Sequence, residues 1–282
     1  MFHNLTTVAA EGTGVPLAAE PVFSLFGLPI TNSMLFGLVI AAVVLTLFGL
    51  AAKRTSVRPS SKLGFAVETV VEAVLDLGED NFGSREKAVK HMPLLLTLFT
   101  FILFSNLSGL LPGVGTLMVH HGEESLPLFR AFTTDLNSTL ALAILTIGTV
   151  QFYAIKELGI FRHIKHYFSV AEPWWSPINF FMGPIEIMSE LIRIMTLSMR
   201  LFGVIYAGEV LLHVIGDLSG VFSPIATFPI YLLEIFFSAI QAYLFMMLSM
   251  VYMANAIHDP HAEEHEAEVP VKKLTDIAAS KS

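Results

Sequence analysis

Arg200 lies inside a stretch, Met195 to Gly203, that otherwise has the composition of a membrane helix. A guanidinium does not lose its proton in a protein. Placing it at the centre of a membrane helix costs from about 2.5 to more than 10 kcal/mol, depending on the measurement. No acidic residue stands three or four positions away, where a helix would bring it alongside. Because such a cost is normally tolerated only where the charge has a task, Arg200 is a candidate functional residue.

A second group of ionisable residues follows Arg200 at helical spacing. Glu209, His213 and Asp217 are four residues apart, which places them on one helix face. At 100° per residue, Glu209 is about half a turn around from Arg200 and ~13 Å further along the helix. The cation and the acids therefore occupy different faces and different depths.

The next apolar stretch brings two more polar residues into the membrane. Glu234 falls in the outer half of that helix, and Gln241, seven residues later, reaches roughly the depth of Arg200. Buried carboxylates and a histidine that water can reach form a proton or cation pathway. The alternative for His213 and Asp217 is that they are polar residues at headgroup level.

Three charged residues precede Arg200 on the same stretch. Glu186 and Arg193 share a face with Arg200 because they follow one another at intervals of seven, and Glu190 can pair with Arg193 at i+3. Glu190 and Arg193 are secondary candidates for ion transfer. They can equally be a mutually neutralised pair near the membrane surface.

The composition places the chain among membrane proteins. It has 282 residues, of which 54% are hydrophobic and only 14% charged, whereas soluble domains carry roughly 25% charge. Cysteine is absent, which excludes disulfides and thiol chemistry. We find no glycine-rich phosphate loop and no basic patch, so we expect no nucleotide, nucleic acid or cofactor to bind this chain.

The apolar segments predict an all-α polytopic membrane protein with five crossings, the last two long and strongly tilted. The N-terminus lacks the pattern of a secretory signal. We expect a segment at residues 1–32 outside the membrane, a membrane domain at 33–256 and an acidic cytoplasmic tail at 257–282. The predicted spans are residues 33–52, 91–111, 136–155, 184–215 and 228–256.

The basic residues predict the orientation. If the spans alternate, most of the sixteen basic residues fall on one side, and only Arg130 falls on the other, apart from the two inside the fourth span. The positive-inside rule then places the N-terminus outside and the C-terminus in the cytoplasm. The residues on the cytoplasmic side are Lys53, Arg54, Arg58, Lys62, Arg85, Lys87, Lys90, Lys156, Arg162, Lys165, Lys272, Lys273 and Lys281.

Several further segments have recognisable patterns. In residues 62–78 the apolar residues recur at helical spacing, and the acidic residues form a stripe on another face of the same helix. This pattern predicts an amphipathic helix at the cytoplasmic surface. Ala171–Phe181 (AEPWWSPINFF) is typical of an interfacial aromatic elbow. The methionines at 246, 247, 250 and 253 indicate an adaptable packing surface. The histidines at 258, 261 and 265 are interpreted as part of a solvated tail, with a metal site as the alternative.

Three motifs and one glutamine together carry a resemblance to a known family. They are SMRLFGVIYAGE (Ser198–Glu209) with EIMSELIRIMTLS before it, TTDLNSTLALA (Thr133–Ala143), SNLSGLLPG (Ser105–Gly113) and Gln241. With these residues the chain resembles subunit a of the F-type ATP synthase, of the bacterial type. The resemblance covers roughly residues 60 to 256.

The resemblance implies a stator subunit packed against a rotating ring of c subunits, with b-type peripheral stalk subunits as further partners, in a bacterial plasma membrane. It implies that Arg200 faces the carboxylate of the ring. Glu209 and Gln241 match the acid and the glutamine of the family's last two spans, and Glu186 matches a polar position toward the cytoplasmic exit. The implied activity is proton transfer through two offset half-channels. ATP chemistry would occur on other subunits, so this chain is not expected to be an enzyme by itself.

The sequence departs from the family pattern at three positions. Val204 stands where many members have Asn, Glu234 where some bacterial members have His, and Gly109 where an acid is common. Glu234 together with His213 suggests that the proton donors are redistributed between the two helices. Two alternatives remain at this point: a self-contained ion-coupled secondary transporter, which predicts internal repeats that we do not find, and a membrane scaffold whose charges only pair between helices.

Overall fold

Helices form most of the chain in the computed structural model. It describes residues 21–25, 28–54, 62–111, 114, 118–121, 124–127, 129–159 and 177–257. In these residues the helices are α1 (Asn32–Arg54), α2 (Lys62–Phe82), α3 (Arg85–Gly109), α4 (Leu136–Leu158), α5 (Pro177–Ser219) and α6 (Ser223–Ile257). Short 3₁₀ turns at Phe132–Thr134 and Gly220–Phe222 precede α4 and α6.

Two short antiparallel hairpins accompany the helices. Strand β1 (Pro21–Leu25) pairs with β2 (Leu28–Thr31), and β3 (Met118–His121) pairs with β4 (Glu124–Pro127). These hairpins add to the predicted helical architecture. Strands of four or five residues are too short to give a reliable periodic signal in the sequence.

Four stretches of the described chain are long and apolar enough to cross a membrane. They are Asn32–Leu50, Arg85–Gly109, Leu136–Glu157 and Gly183–Ile257. The last stretch contains both α5 and α6, whose 43 and 35 residues each exceed the ~20 that one crossing needs. The prediction of a polytopic helical membrane protein is confirmed at this level.

The helices extend beyond several of the predicted segments, including the spans predicted at 33–52, 184–215 and 228–256. The amphipathic helix α2 continues past residue 78 to Phe82 and is followed by Gly83, whose φ of 67° favours glycine. The predicted elbow at Ala171–Phe181 is helical from Pro177 onward, where α5 begins, and its earlier residues lie outside the described ones, as do the tail histidines.

The acidic face of α2 is held by one arginine. Arg85 lies 3.3 Å from Glu72, 3.4 Å from Asp76 and 3.3 Å from Glu79, and all four side chains are exposed. The opposite face of α2 buries Val74. The acidic face of α2 is therefore exposed and its opposite face is packed, whereas its place at the cytoplasmic surface stays a prediction.

The core forms where α3, α4, α5 and α6 meet. One apolar cluster joins all four helices through residues such as Ile102, Ile147, Leu201 and Phe245. This packing fixes the rotation of α5 and α6, which carry most of the candidate site residues. A second cluster buries Met246, Met250 and Met253 together with residues of α2, α3 and α4, as expected for a packing surface.

Candidate functional site

Arg200 lies at the edge of the buried face of α5. Its neighbours Leu197, Ser198 and Leu201 are buried, whereas Met199 is exposed, and the Arg200 side chain is partly exposed. The ion pairs found within the described residues do not include Arg200. Within the described residues, the Arg200 guanidinium thus has no carboxylate partner.

The charged residues before Arg200 pair locally. Glu190 Oε1 lies 2.6 Å from Arg193 Nη1, which confirms the predicted i,i+3 pair. The Arg193 guanidinium also lies 5.1 Å from the ring centre of Tyr252 on α6. Glu186, one turn earlier, is partly buried and takes no part in the ion pairs of the described residues.

A groove opens beside this pair. Its volume is about 470 Å³, and its surface is mostly apolar. The lining residues are Pro184, Ile185, Met188, Ser189, Ile192, Arg193, Thr196 and Tyr252.

Several polar residues of α6 lie on its buried face. Glu234, Ser238 and Gln241 are all buried, and each has a polar atom with no hydrogen-bond partner in the part of the chain described. Asn106 and Ser105 on α3 also have such atoms, and Asn106 Nδ2 donates to the Ser238 carbonyl at 3.5 Å. Buried polar atoms of this kind usually bind ordered water. These residues place buried polar atoms on both α3 and α6, which meet at the Asn106–Ser238 contact.

Glu234 packs directly on Gly208. A Cβ added to Gly208 would overlap the Glu234 carboxylate, so only glycine leaves room for that side chain. Gly208 is thus a small residue that permits a close approach of α6, whereas the neighbouring Gly203 is open and Ala207 is exposed.

The three ionisable residues that follow Arg200 on α5 differ in burial. Glu209 is partly buried, and its Oε2 atom is buried without a hydrogen-bond partner in the described structure. His213 is exposed and donates from Nδ1 to the Glu209 carbonyl at 2.9 Å. Asp217 is exposed. The structure thus brings Glu209 close to the buried group and leaves His213 and Asp217 on the helix surface.

Arg130 is a charged residue at this site that the sequence analysis used only for orientation. It is buried beside the 3₁₀ turn before α4, and its Nη2 lies 4.0 Å from Glu209 Oε2. Its position as the single basic residue on the predicted outer side was the available signal. The sequence analysis also did not single out Asn106 and Ser238. The available signal for them was a polar amide or hydroxyl group within an apolar segment.

The fold and the site together define a helical membrane protein that carries ionisable and polar side chains within its apolar core. A family model described as ATP synthase A chain matches residues 34–254. The chain belongs to this family.

Curated relatives agree with the family match. The ATP synthase subunit a of Campylobacter curvus (strain 525.92) is 33% identical over 226 residues, which are 80% of this chain and 89% of the relative. The subunit a of Campylobacter jejuni subsp. doylei is also 33% identical, over 80% of this chain and 90% of its own. That of Campylobacter fetus subsp. fetus is 31% identical over 83% and 93%. The resemblance inferred from the sequence is confirmed, and the secondary-transporter alternative is not favoured.

Proposed function

We propose that this chain is the stator subunit a of a proton-translocating ATP synthase and that it provides two offset half-channels to the carboxylates of a c-ring. Family membership supports the assembly with other ATP synthase subunits. The observation that carries the residue assignment is Arg200, a partly exposed intramembrane guanidinium with no carboxylate partner among the described residues. Such a charge requires a partner or a task.

In this proposal the outer half-channel uses the acids of α5 and α6. A proton enters past Glu234 and Glu209, with His213 at the helix surface, and reaches the ring carboxylate near Gln241. The buried polar atoms of Glu234 and Gln241 support this path, because they are available to bind water. Asp217 is a secondary candidate at the entrance.

Arg200 separates the two half-channels. The neutralised ring site can turn into lipid because its desolvation cost has largely gone. When the site returns to Arg200, the guanidinium favours the carboxylate anion, and the proton leaves toward the cytoplasm past Glu186. Glu190 and Arg193 are secondary candidates on this side. Each elementary charge that crosses yields about 2.3 kcal/mol per 100 mV, so several are needed for one ATP.

The orientation follows from the positive-inside rule. We propose that α1, α3, α4, α5 and α6 each cross a bacterial plasma membrane, with the N-terminal segment outside and the acidic tail in the cytoplasm. The b-type stalk subunits and membrane lipid are the further partners. The ATP chemistry belongs to other subunits, and this chain supplies the ion path.

The test is ATP-driven acidification of inverted vesicles that contain the assembled complex, with the wild type compared with Arg200→Ala. Arg85→Ala is the control, because it also removes one arginine but from an exposed cluster on α2. We expect Arg200→Ala to abolish pumping while the complex remains assembled, and Arg85→Ala to pump normally. Normal pumping by Arg200→Ala would refute the assignment.

A further inference from the structure

Arg130 is a buried cation that is fixed by the turn in front of α4. Its side chain is 5% exposed. Its Nε donates to Thr134 Oγ1 at 3.2 Å, and its Nη2 donates to the Thr134 carbonyl at 3.4 Å. The turn Phe132–Thr134 packs against α1, α3, α4 and α5, so its position is determined from several sides. The guanidinium is therefore held in one place by the fold.

The geometry between this guanidinium and Glu209 is that of an open ion pair. Arg130 Nη2 lies 4.0 Å from Glu209 Oε2, which is within ion-pair range but too long for a hydrogen bond. Glu209 Oε2 makes no hydrogen bond with the described residues. The attraction thus orients the carboxylate and leaves the lone pairs of Oε2 available to a proton donor.

The site needs a compensating charge. Glu234 packs on Gly208, the residue next to Glu209, so two acidic residues occupy neighbouring positions where α5 meets α6. Like charges in a poorly hydrated region repel, and a buried charge without a partner is strongly unfavourable. Among the described residues, the charged and titratable groups placed near Glu209 include Arg130 on the turn, Glu234 on α6 and His213 on its own helix. Arg130 is the permanent cation of this set.

We propose that Arg130 is a positioning residue of the outer half-channel, which holds the Glu209 carboxylate at the protein side of the path and offsets the charge of the two adjacent acids. This inference rests on the proposed function, because it acts through the role of Glu209 as a proton carrier. The cation that faces Glu209 thus comes from the segment before α4. The proposed outer half-channel therefore includes residues of this segment, of α5 and of α6.

The test measures ATP-driven acidification by inverted vesicles, normalised to the amount of assembled complex. The variants are Arg130→Gln, Arg130→Lys and Glu209→Gln, with Arg130→Gln also made in a Glu209→Asp background. Arg85→Gln, which removes a guanidinium from an exposed cluster, is the matched control. We expect Arg130→Gln to slow pumping about tenfold, as is typical of coupled charges, and Arg130→Lys to recover much of the loss. Arg85→Gln should pump at the wild-type rate.

The Glu209→Asp background separates action through Glu209 from a general structural effect. Shortening the side chain moves its carboxylate away from Arg130, so Arg130→Gln should cost at least about threefold less there than in the wild type. An equal loss in both backgrounds, or no recovery with Arg130→Lys, would overturn the inference. Should Arg130→Gln fail to assemble, Thr134→Val replaces it, because it removes the hydroxyl that anchors the guanidinium and keeps the charge; the same comparison then applies.

Glu209→Gln separates the role of Arg130 from the role of Glu209 itself. If Glu209→Gln abolishes pumping and Arg130→Gln pumps normally, only the role of Arg130 is wrong. If Glu209→Gln itself pumps normally, Glu209 lies off the proton path, and both its part in the proposed function and this inference are refuted.

Discussion

The carboxylate of Glu234 on α6 lies against the bare backbone of Gly208 on α5. The two helices can approach this closely because Gly208 has no Cβ, and the approach buries Glu234 in the helix interface. The Glu234 side chain is only 6% exposed in this position. The position of the Glu234 carboxylate on α6 therefore depends on glycine at position 208 of α5.

Gly208→Ala should displace the Glu234 carboxylate. The added methyl group would occupy the place of that carboxylate, and overpacking of this kind costs about 1–3 kcal/mol. We expect pumping in inverted vesicles to fall several-fold while the complex still assembles. Gly148→Ala on α4 is the control, because nothing lies within 4 Å of a Cβ at that position. Equal pumping by the two alanine variants would contradict the contact.

Leu201 should contribute more to stability than its near neighbour Val204. Leu201 is fully buried where α3, α4, α5 and α6 meet, whereas Val204 is 36% exposed. Leu201→Ala should lower the free energy of unfolding by about 2–5 kcal/mol, through lost contacts and the cavity that remains. Val204→Ala should cost clearly less. The measurement is denaturant unfolding of the purified protein in detergent, and a smaller loss for Leu201→Ala than for Val204→Ala would contradict the core assignment.

Asp135 should stabilise the packing of α1 against α4 and the start of α4. Its Oδ2 accepts hydrogen bonds from Ser33 Oγ and Ser138 Oγ, both at 2.9 Å, and its Oδ1 accepts from the Asn137 amide at 3.1 Å. Asp135→Ala removes a helix cap and leaves buried hydroxyls without their acceptor, so we expect a loss of at least about 2 kcal/mol in unfolding free energy.

The control for Asp135 is Asn137→Ala. This change removes an exposed side chain and keeps the backbone amide that Asp135 binds. Its unfolding free energy should stay close to that of the wild type. If both variants lose the same stability, the carboxylate does not act as the described cap.

The sequence predicted features that depend on local spacing. The helical segments and the Glu190–Arg193 pair follow from periodicity and from i,i+3 geometry, and the structure contains them. The contacts of Arg130 with Glu209 and of Gly208 with Glu234 join residues on different elements. Spacing along one helix carries no information about which neighbour faces it, because that is set by how the helices pack.

His91, near the N-terminal end of α3, makes both aromatic contacts and a polar contact. Its ring is fully buried, lies 5.3 Å from the ring of Phe82 and 4.9 Å from that of Tyr153, and places Nε2 3.2 Å from Glu157 Oε1. The same Glu157 oxygen lies 2.5 Å from Lys90 Nζ. Glu157 therefore keeps a cationic partner when the imidazole is removed.

His91→Phe should consequently be much milder than His91→Ala. Phenylalanine preserves the ring contacts between α2, α3 and α4, whereas alanine leaves a cavity that we expect to cost about 3 kcal/mol. Denaturant unfolding in detergent measures both changes. Equal losses would show that the contact with Glu157, and not the aromatic packing, determines the contribution of His91, because both variants remove that contact and only one removes the ring.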